Sequence, residues 1–398
     1  MSVNIKDYVL DEKAYIVGLR RYFHMYPELS GQEYNTAKKI EQELDSMHIQ
    51  HKRVADTGVA AFIYGKDGLN PEYKNKVKTV VLRADIDALR IQEKNDTEYK
   101  SRNDGVMHAC GHDAHTAALL GAAKILNRNK DELKGNVVLI FQQAEEIGAG
   151  ALHFIKEGYL DNAYRVLGIH MASFLPVKQV SIKEGECAAS CDYFKIKVKG
   201  KSAHVSKPDD GIDALYIASQ IVVSLQAVAA RLTNPLDPVI VGIGKMTAGT
   251  NYNIIANEAV LEGTTRAFNA SVRNRINNAV TDIAKQTARA FGTEAYVEFK
   301  NYASPLVNDK TSAKELAPVA SEILGKENVI LDSDRILMAD DFAEYLLKTK
   351  GVYAYVGSNG GSKSAYPHHN ECFDIDEDAI LVATNLYVDY TKKILENE

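Results

Sequence analysis

The first half of the chain alternates short apolar runs with amphipathic segments, and this alternation restricts the possible folds more than any other feature. VKTVVLRADID at 77–87 is typical of a buried strand, and TAALLGAAKILNRN at 116–129 is typical of a helix. GNVVLIFQ at 135–142 and RVLGIH at 165–170 predict two further strands, with a helix at 151–160 between them. Strands and helices that alternate in this way predict a mainly parallel sheet covered by helices.

From about residue 187 the pattern changes to that of a second domain. The predicted elements are a strand at 192–200, a helix at 211–232, strands near 239–246 and 258–268, a helix at 270–291 and a strand at 294–301. Their order is β-α-β-β-α-β, the pattern of a ferredoxin-like domain. After Pro305 the earlier alternation resumes. We therefore predict an α/β fold: a discontinuous, mainly parallel-sheet domain at 1–186 and 305–398, with an inserted α+β ferredoxin-like domain at 187–304.

Composition excludes several classes of protein. The 398 residues carry 47 basic and 53 acidic side chains, a formal net charge of -6, and this balance argues against a nucleic-acid partner. The first 15 residues lack the apolar stretch of a secretory signal, and apolar runs such as 137–141 are too short to cross a membrane. Four cysteines in a chain of this length do not form a disulfide framework. We therefore expect a cytoplasmic protein without a membrane partner.

The stretch MHACGHDAH at 107–115 is the most informative motif. Cys110 and His112 are separated by one glycine, so both can face one point on a tight loop. Thiolate and imidazole are good ligands for zinc and similar metals, and Asp113 would hold the imidazole of His112. Alone, the motif is equally typical of a helix N-terminus rich in His and Asp.

Other predicted strands are followed by similar side chains. These are Asp85 and Asp87 after the strand at 77–87, Glu145 and Glu146 after the strand at 135–142, His170 at the end of its own strand, and His368 and His369 beyond a buried strand at 352–357. In open parallel sheets, sites form beyond the carboxyl ends of the strands. A single histidine at a strand end is usually structural, but this convergence predicts a metal site at one edge of the sheet.

The adjacent glutamates predict a division of roles. If the backbone turns between them, one carboxylate can bind a metal while the other faces the substrate as a general base on metal-bound water. Taken alone, Glu145 and Glu146 are more typical of a charge pair in a surface turn.

Together these residues resemble a known family. RADIDAL, GVMHACGHDAHTAALLGAA, FQQAEEIGAGA, GIH, GKSAH and HHNECFDIDEDAI are similar to segments of the metal-dependent aminoacylase and carboxypeptidase family, in its amidohydrolase branch. That branch includes hippurate hydrolases, N-acetyldiaminopimelate deacetylases and plant auxin-conjugate hydrolases. The resemblance covers nearly the whole chain.

The resemblance implies two divalent metal ions per subunit, with ligands Cys110, His112, Glu146, His170 and His369. Cys110 would lie between the metals, and Glu145 would be the general base and later the proton donor. His369 is preferred because the family's last ligand lies four residues before a phenylalanine, here Phe373, and His368 stays an alternative. Zn and Mn are the expected metals; Ni and Co also suit these ligands.

The resemblance also gives roles to three residues of the inserted domain. His204 would stabilise the oxyanion of the tetrahedral intermediate, often in the partner subunit's site. Asn253 and Arg266 match residues that hold the substrate carboxylate, although Arg266 alone is typical of an exposed strand. The larger domain would bind the metals, and the inserted domain would act as a lid and join a homodimer.

We therefore predict a binuclear amidohydrolase that cleaves the amide bond of N-acyl amino acids, such as N-acetyl amino acids, or of related amide conjugates. Attack by a metal-bound hydroxide, with Glu145 as general base, is the expected mechanism. A dipeptidase or carboxypeptidase acting on short peptides is the first alternative, and a non-catalytic metal-binding protein is the second. A thiol redox protein using Cys187 and Cys191 is disfavoured, because three residues separate them rather than two.

In other branches a His-x-Asp pair supplies metal ligands. Here the matching residues are Arg83 and Asp85, so Arg83 cannot bind a metal and Asp85 is expected behind the ligands. MASF after His170, VSKPDDG after His204 and Asn370-Glu371-Cys372 also depart from the family's pattern. These segments lie near the expected metals or substrate, so the departures affect the choice of substrate more than the type of reaction.

Overall fold

The structure, a computed structural model, describes residues 4–66, 68 and 77–396. The helices are α1 (Asp7–Leu10), α2 (Lys13–Met25), α3 (Tyr34–Ser46), α4 (His112–Arg128), α5 (Gly150–Lys156), α6 (Ala214–Arg231), α7 (Ala270–Ala290), α8 (Lys310–Leu324), α9 (Phe342–Leu346) and α10 (Asp378–Glu396). The strands are β1 (Gln50–Val54), β2 (Gly58–Tyr64), β3 (Thr79–Asp85), β4 (Asn136–Gln142), β5 (Ala163–Pro176), β6 (Val180–Ser181), β7 (Gly185–Ala188), β8 (Cys191–Lys199), β9 (Val239–Ala248), β10 (Glu258–Ala267), β11 (Ala295–Ala303), β12 (Leu306–Asn308), β13 (Val329–Ile330) and β14 (Gly351–Asn359). Residues 1–3, 67, 69–76 and 397–398 of the predicted larger domain lie outside the described residues.

The larger sheet has eight strands in the order β1-β2-β4-β3-β5-β14-β6-β13. Its centre, β4-β3-β5-β14, is parallel, and β2 and β6 join it in antiparallel pairings. The central strands are buried along nearly their whole length, as expected for strands covered by helices on both faces. The predicted α/β class with a mainly parallel sheet is confirmed.

Helix α4 is the centre of the helical layer, and its small side chains let other helices approach closely. Every residue from His112 to Ala123 is buried. At Gly121 an added Cβ would lie 2.7 Å from a carbon of Ile16 in α2 and 3.3 Å from one of Thr384 in α10. The alanine-rich sequence GAA therefore fixes how α2, α4 and α10 pack together.

The chain divides into two compact units. The first consists of Met1–Gly185, Asn308–Asp334 and Asp341–Glu398, and the second of Glu186–Val307 and Arg335–Asp340. The segment Arg335–Asp340, which the sequence prediction put in the larger domain, belongs to the second unit. The reason is local pairing: Ile336 forms a β-bridge with Ala188, and its N–H donates to the carbonyl of Cys187 at 3.0 Å.

The second unit contains the inserted α+β fold that the sequence predicts. Its four strands form an antiparallel sheet in the order β11-β8-β10-β9, and α6 and α7 share one apolar core with that sheet. Among the described residues, α6 alone is long and apolar enough to cross a membrane by length and composition. In the structure its residues Ile217, Ile221, Leu225 and Val228 are buried in the core of this unit instead.

Two elements near the predicted site extend beyond their predicted bounds. Helix α4 begins at His112, four residues earlier than predicted, directly after Gly111 with its left-handed φ of +86°. Strand β5 continues to Pro176, because it pairs with β14 beyond His170. His112 therefore lies in the first turn of a helix, and His170 lies within a strand rather than at its end.

Candidate metal centre

The first unit brings the five predicted metal ligands and Glu145 together. Cys110 lies in the loop before α4 and His112 opens α4; Glu145 and Glu146 follow β4; His170 lies in β5; and His369 follows β14. Three overlapping groups have ligand atoms within 4.8 Å of one another: Cys110, His112 and His170; Cys110, Glu146 and His369; and His112, Glu145 and Glu146. The predicted convergence at one edge of the sheet is therefore present.

The individual distances suit ligands that share cations. The Sγ atom of Cys110 lies 3.5 Å from Nε2 of His170. Oε1 of Glu146 lies 3.9 Å from Nε2 of His112 and 3.4 Å from Nε2 of His369. Because Cys110 and Glu146 belong to groups that overlap, the cluster has the form of two adjacent sites joined by Cys110.

Hydrogen bonds fix the two buried imidazoles with one nitrogen turned to the cluster. Nδ1 of His112 lies 2.9 Å from the carbonyl oxygen of Asp87, and Nδ1 of His170 lies 2.7 Å from that of Met171. A carbonyl can only accept, so Nδ1 carries a proton in both rings and Nε2 is the nitrogen left to face a cation. Metal-binding histidines are typically oriented in this way.

Two buried atoms of the cluster lack any other partner. Neither Nε2 of His112 nor Oε1 of Glu146 makes a hydrogen bond of good geometry within the part of the chain that the structure describes. Buried polar atoms without partners are costly, and a bound cation would satisfy both. The thiolate, imidazole and carboxylate donors are the mixed set that zinc and related divalent metals accept. The residues present therefore fit a pair of divalent cations.

Burial and neighbouring charges shift the ionisation of these groups. Burial would lower the pKa of His112, but the Asp85 and Asp87 carboxylates raise it well above its ordinary value. Burial lowers the pKa of His170 well below its ordinary value. The Cys110 thiol and the Glu146 carboxylate raise the pKa of His369 to about 10. The carboxylates beside His112 and His369 thus favour positive charge at both positions, as a site for cations requires.

The structure distinguishes His368 from His369. Nε2 of His368 donates to the carbonyl oxygen of Met171 at 2.8 Å, so that nitrogen has no lone pair to offer. The His368 ring packs edge-to-face on His170, with centroids 5.2 Å apart. His369 has a left-handed φ of +63°, and its N–H donates to the carbonyl of Ala109 at 2.8 Å. This geometry supports His369 as the ligand, and the assignment stays a prediction.

A second cluster beside the site is structural. Asp85, His112 and His115 also have donor atoms close together. However, Nδ1 of His115 donates to Asp85 at 2.5 Å, while its Nε2 accepts from the N–H of Met171 at 2.8 Å. Both nitrogens of His115 are therefore occupied, and Asp85 is also paired with the buried Arg83. Oδ1 of Asp85 also lies 3.7 Å from Nε2 of His112. These contacts support a structural role for Asp85, and that role stays a prediction.

The partner proposed for the His112 imidazole was wrong. Asp113 instead accepts hydrogen bonds from Arg20 at 2.9 Å and from His24 at 2.7 Å, both fully buried on α2. Asp87 holds His112 through its carbonyl oxygen. Sequence proximity favoured Asp113, but the side chain of a residue in the first turn of α4 points away from that of its neighbour.

Three residues support the site from outside the cluster, and two of them, Ser30 and Glu33, have no signal of this role in the sequence. Asp87 accepts hydrogen bonds from the N–H of Glu146 at 3.0 Å and from Oγ of Ser30 at 2.6 Å. Glu33 accepts one from the N–H of Ala144 at 2.9 Å. Ser30 and Glu33 lie more than one hundred residues before the glutamate pair, so no local spacing connects them with it.

The three predicted residues of the inserted domain lie in the second unit. His204 is exposed, and its Nδ1 accepts from the backbone N–H of Ser206 at 3.1 Å, which leaves the proton on Nε2. Oδ1 of Asn253 is buried without a hydrogen-bond partner among the described residues. Arg266 is half-buried on β10 and donates to Oγ1 of Thr264 at 2.8 Å. Their roles stay predictions.

Comparison with known proteins identifies the family. The model of peptidase family M20/M25/M40 matches residues 81–393. The chain belongs to this family. The resemblance to the metal-dependent aminoacylases and carboxypeptidases is thereby confirmed, and the chain is a hydrolase of the M20 type.

Individual M20 relatives match over nearly their full length. A Bacillus subtilis (strain 168) protein named N-acetyl-L-cysteine deacetylase is 38% identical over 383 residues, 96% of this chain and 88% of that protein. Thermostable carboxypeptidase 1 of Saccharolobus solfataricus is 36% identical over 381 residues, 94% of each chain. The Bacillus subtilis YXEP protein, described as a dinuclear metal binding peptidase from the M20 family, has a TM-score of 0.82 and 33% identity, covering 98% of this chain and 100% of that one.

Proposed function

We propose that this M20 enzyme hydrolyses the amide bond of N-acyl amino acids, with N-acetyl amino acids as the first substrates to test. The convergence of Cys110, His112, Glu146, His170 and His369 on one cluster, with Glu145 beside it, carries the proposal. The similarity to a protein named N-acetyl-L-cysteine deacetylase supports the choice of acyl amino acids.

We propose Zn or Mn as the physiological metals, with Ni and Co as alternatives, because sulfur, nitrogen and oxygen donors occur together. His112 and His170 would hold one cation, Glu146 and His369 the other, and Cys110 both. When bound, two such cations polarise the acyl carbonyl and make a water molecule more acidic. The description of the YXEP relative as dinuclear supports two ions rather than one.

Glu145 is the proposed general base. Its carboxylate lies in the same group of atoms as His112 and Glu146. The five other ligand-type residues would be enough to hold two cations, which would leave the Glu145 carboxylate for proton transfer. Glu145 would take a proton from the attacking water onto its carboxylate and pass that proton to the nitrogen of the leaving amine. This role requires Glu145 and Glu146 to diverge, and the left-handed residue Ala144 turns the chain immediately before them.

Residues of the inserted domain would complete the site. His204 carries its proton on Nε2, so it can donate a hydrogen bond to the developing oxyanion. The unsatisfied Oδ1 of Asn253 and the guanidinium of Arg266 supply polar groups for the substrate's amino acid part. Arg266 would hold the carboxylate and so fix the scissile bond.

A homodimer through the inserted domain is part of the proposal. Strand β9 is an edge of the four-stranded sheet and exposes Ile240 and Met246, and α6 exposes Tyr216 and Val223. An apolar edge strand beside an apolar helix face favours pairing with a second copy. Sedimentation of wild type should give a dimer and Val223→Glu a monomer; a wild-type monomer with full activity would refute this.

A cytoplasmic location is proposed on chemical grounds. Cys110 must be a reduced thiolate to bind metal, and all four cysteines are free in the structure. A reducing compartment preserves this state.

The experiment that tests the function is metal removal and restoration. Protein stripped with a chelator is assayed on a panel of N-acetyl amino acids before and after addition of Zn or Mn. Release of free amino acid that disappears on stripping and returns with metal is the expected result. If two metal ions bind per chain and no panel member is hydrolysed, deacylation is not the activity.

Hydrolysis of short peptides is the second candidate, because a relative of similar identity is named thermostable carboxypeptidase 1. The same metal site would act on a peptide carbonyl. Dipeptides, N-acetyl amino acids and N-benzoyl amino acids assayed side by side distinguish the two activities by kcat/KM. A peptide preference of tenfold or more, about 1.4 kcal/mol in transition-state binding, would favour the peptidase.

A further inference from the structure

The turn before the glutamate pair is in an unfavourable backbone conformation. Ala144 has a φ of +56°, in the left-handed region where a Cβ atom collides with the neighbouring carbonyl. The residue is buried, and Glu145 follows it directly. An alanine keeps such a conformation only where surrounding contacts hold it.

Glu33 is one of those contacts. Its side chain is fully buried, and its Oε1 accepts a hydrogen bond from the N–H of Ala144 at 2.9 Å. Glu33 stands at the N-cap position of α3, where a side chain usually caps the helix, but it makes no capping hydrogen bond. The buried carboxyl group of Glu33 therefore does not cap α3; it binds the turn at Ala144 instead.

The backbone is held on both sides of Glu145. Before it, Ala144 donates to Glu33; after it, the N–H of Glu146 donates to Asp87 at 3.0 Å. The carbonyl of Glu145 accepts from the N–H of Gly148 at 2.7 Å. These bonds fix the backbone on both sides of Glu145, and carboxylate oxygens of Glu145 and Glu146 lie within 4.8 Å of a ring nitrogen of His112 and of each other.

We propose that Glu33 is a positioning residue for the glutamate pair: its carboxyl group keeps Ala144 in the left-handed conformation and thereby aims Glu145 as base and Glu146 as metal ligand. The expected effect of Glu33 on turnover rests on the proposed function, because it assumes that Glu145 is the general base. Its effect on metal binding through Glu146 is independent of the substrate.

The test uses Glu33→Met, which keeps the volume and removes the acceptor, and Glu33→Gln, which keeps a side-chain oxygen for the Ala144 N–H. We expect Glu33→Met to lower kcat by about 10- to 100-fold, because a buried backbone N–H loses its partner. KM should change by less than about threefold, because substrate contacts are retained. Glu33→Gln should keep kcat within about threefold of wild type.

A second substitution distinguishes positioning from general stability. Glycine adopts positive φ without strain, so Ala144→Gly in the Glu33→Met background should restore kcat by about fivefold or more. In the wild-type background Ala144→Gly should change kcat little, because the turn is already formed. Glu12→Met is the matched control: Glu12 is largely buried and paired with Lys124 and Arg128, so its loss should affect stability and not kcat.

Metal binding gives a readout that needs no turnover. Titration with Zn or Mn should show one of the two sites weakened about 10- to 100-fold in Glu33→Met, with partial recovery on adding Ala144→Gly. If wild type hydrolyses none of the panel but this pattern is found, positioning stands and the proposed function fails. If wild type is active and Ala144→Gly restores neither kcat nor affinity, the positioning role is wrong.

A measurement on wild type covers the case in which Glu33→Met does not fold. Hydrogen exchange of peptides spanning 143–146 should show the Ala144 amide protected, because it is buried and bonded to Glu33. Exchange of this amide at the rate of an exposed one would overturn the proposal, since the bond on which it depends would be absent.

Discussion

The substitution Arg83→Met tests whether the first unit depends on a cation buried at the carboxyl ends of its strands. Arg83 is fully buried on β3, and its guanidinium donates to Asp85 at 2.5 Å, to Gln142 at 2.9 Å and to Asp341 at 3.0 Å. Methionine has a similar shape and no charge. The variant would keep the packing and leave two carboxylates in the interior without this cation.

The expected loss is large because the remaining charges cannot reach water. Removing one partner of a buried ion pair typically costs about 3–5 kcal/mol. In the variant Asp85 would still accept a hydrogen bond from His115, and Asp341 would still accept hydrogen bonds from the side-chain amide of Gln142 and the backbone N–H of Ala151. We therefore expect a loss of unfolding free energy at the lower end of this range, about 3 kcal/mol. Against a total stability of about 5–15 kcal/mol, this is a substantial fraction.

The assay is guanidinium unfolding of chelator-treated protein, followed by far-ultraviolet circular dichroism and tyrosine fluorescence, since the chain has 21 tyrosines and no tryptophan. Lys13→Met is the control: Lys13 pairs with Asp378 at 2.9 Å, but both side chains are about half exposed, so the expected loss is below about 1 kcal/mol. A loss below about 1 kcal/mol for Arg83→Met as well would refute the reasoning, because the carboxylates would then not need the arginine.

Three further predictions concern other parts of the first unit. Burial alone would raise the pKa of Glu12, but Lys124 and Arg128 lower that pKa below its ordinary value. The Glu12 carboxylate therefore stabilises the folded protein above about pH 4.3, and this stabilisation is lost as pH falls through the folded pKa. Glu12→Gln should thus unfold at lower denaturant than wild type at pH 7, and this difference should shrink as pH falls below about 4.3; a difference that stays constant as pH falls would contradict this. Gly168→Ala should lower the free energy of unfolding by about 1–3 kcal/mol, because its Cβ would lie 2.6–2.8 Å from ring carbons of Tyr353 and Phe342; unchanged thermal unfolding would show that the rings move freely. Cys110→Ala should reduce bound metal below two ions per chain by elemental analysis, and two tightly held ions would exclude the thiolate as the shared ligand.

The architecture could be predicted because its signals are local. Buried parallel strands read as continuous apolar runs, and the change to a β-α-β-β-α-β order near residue 187 marks the inserted domain. The convergence of the candidate ligands could be predicted for a related reason: residues after parallel strands meet at one edge of the sheet. Their assignment as metal ligands came from the family resemblance and stays a prediction. His170 lies within its strand rather than at the end, and its imidazole still lies in the cluster with Cys110 and His112.

The supporting contacts could not be predicted, because they depend on tertiary packing. Asp113 is next to His112 in sequence, but the helical turn directs it to Arg20 and His24, and Asp87 holds the imidazole instead. Glu33 has the pattern of an ordinary first residue of a helix, and only the structure shows that it bonds Ala144.

The exact domain boundary could not be predicted either, because it also depends on tertiary packing. The segment Arg335–Asp340 belongs to the second unit through a bridge between Ile336 and Ala188, about 150 residues apart in the chain. Hydrophobic periodicity describes which face of an element is buried but not which distant strand it will pair with. A six-residue segment between a short strand and a short helix carries too little pattern to indicate its partner.

The most direct test of the metal-dependent amidohydrolase is the variant Glu145→Gln, measured for both bound metal and turnover of the best N-acetyl amino acid. Glu157→Gln, on the helix-end residue after α5, is the matched control and should behave as wild type. The account predicts two metal ions per chain in Glu145→Gln and turnover reduced by at least about 100-fold, because the ligands remain and the base is lost. Turnover near that of wild type with both metals bound would contradict it.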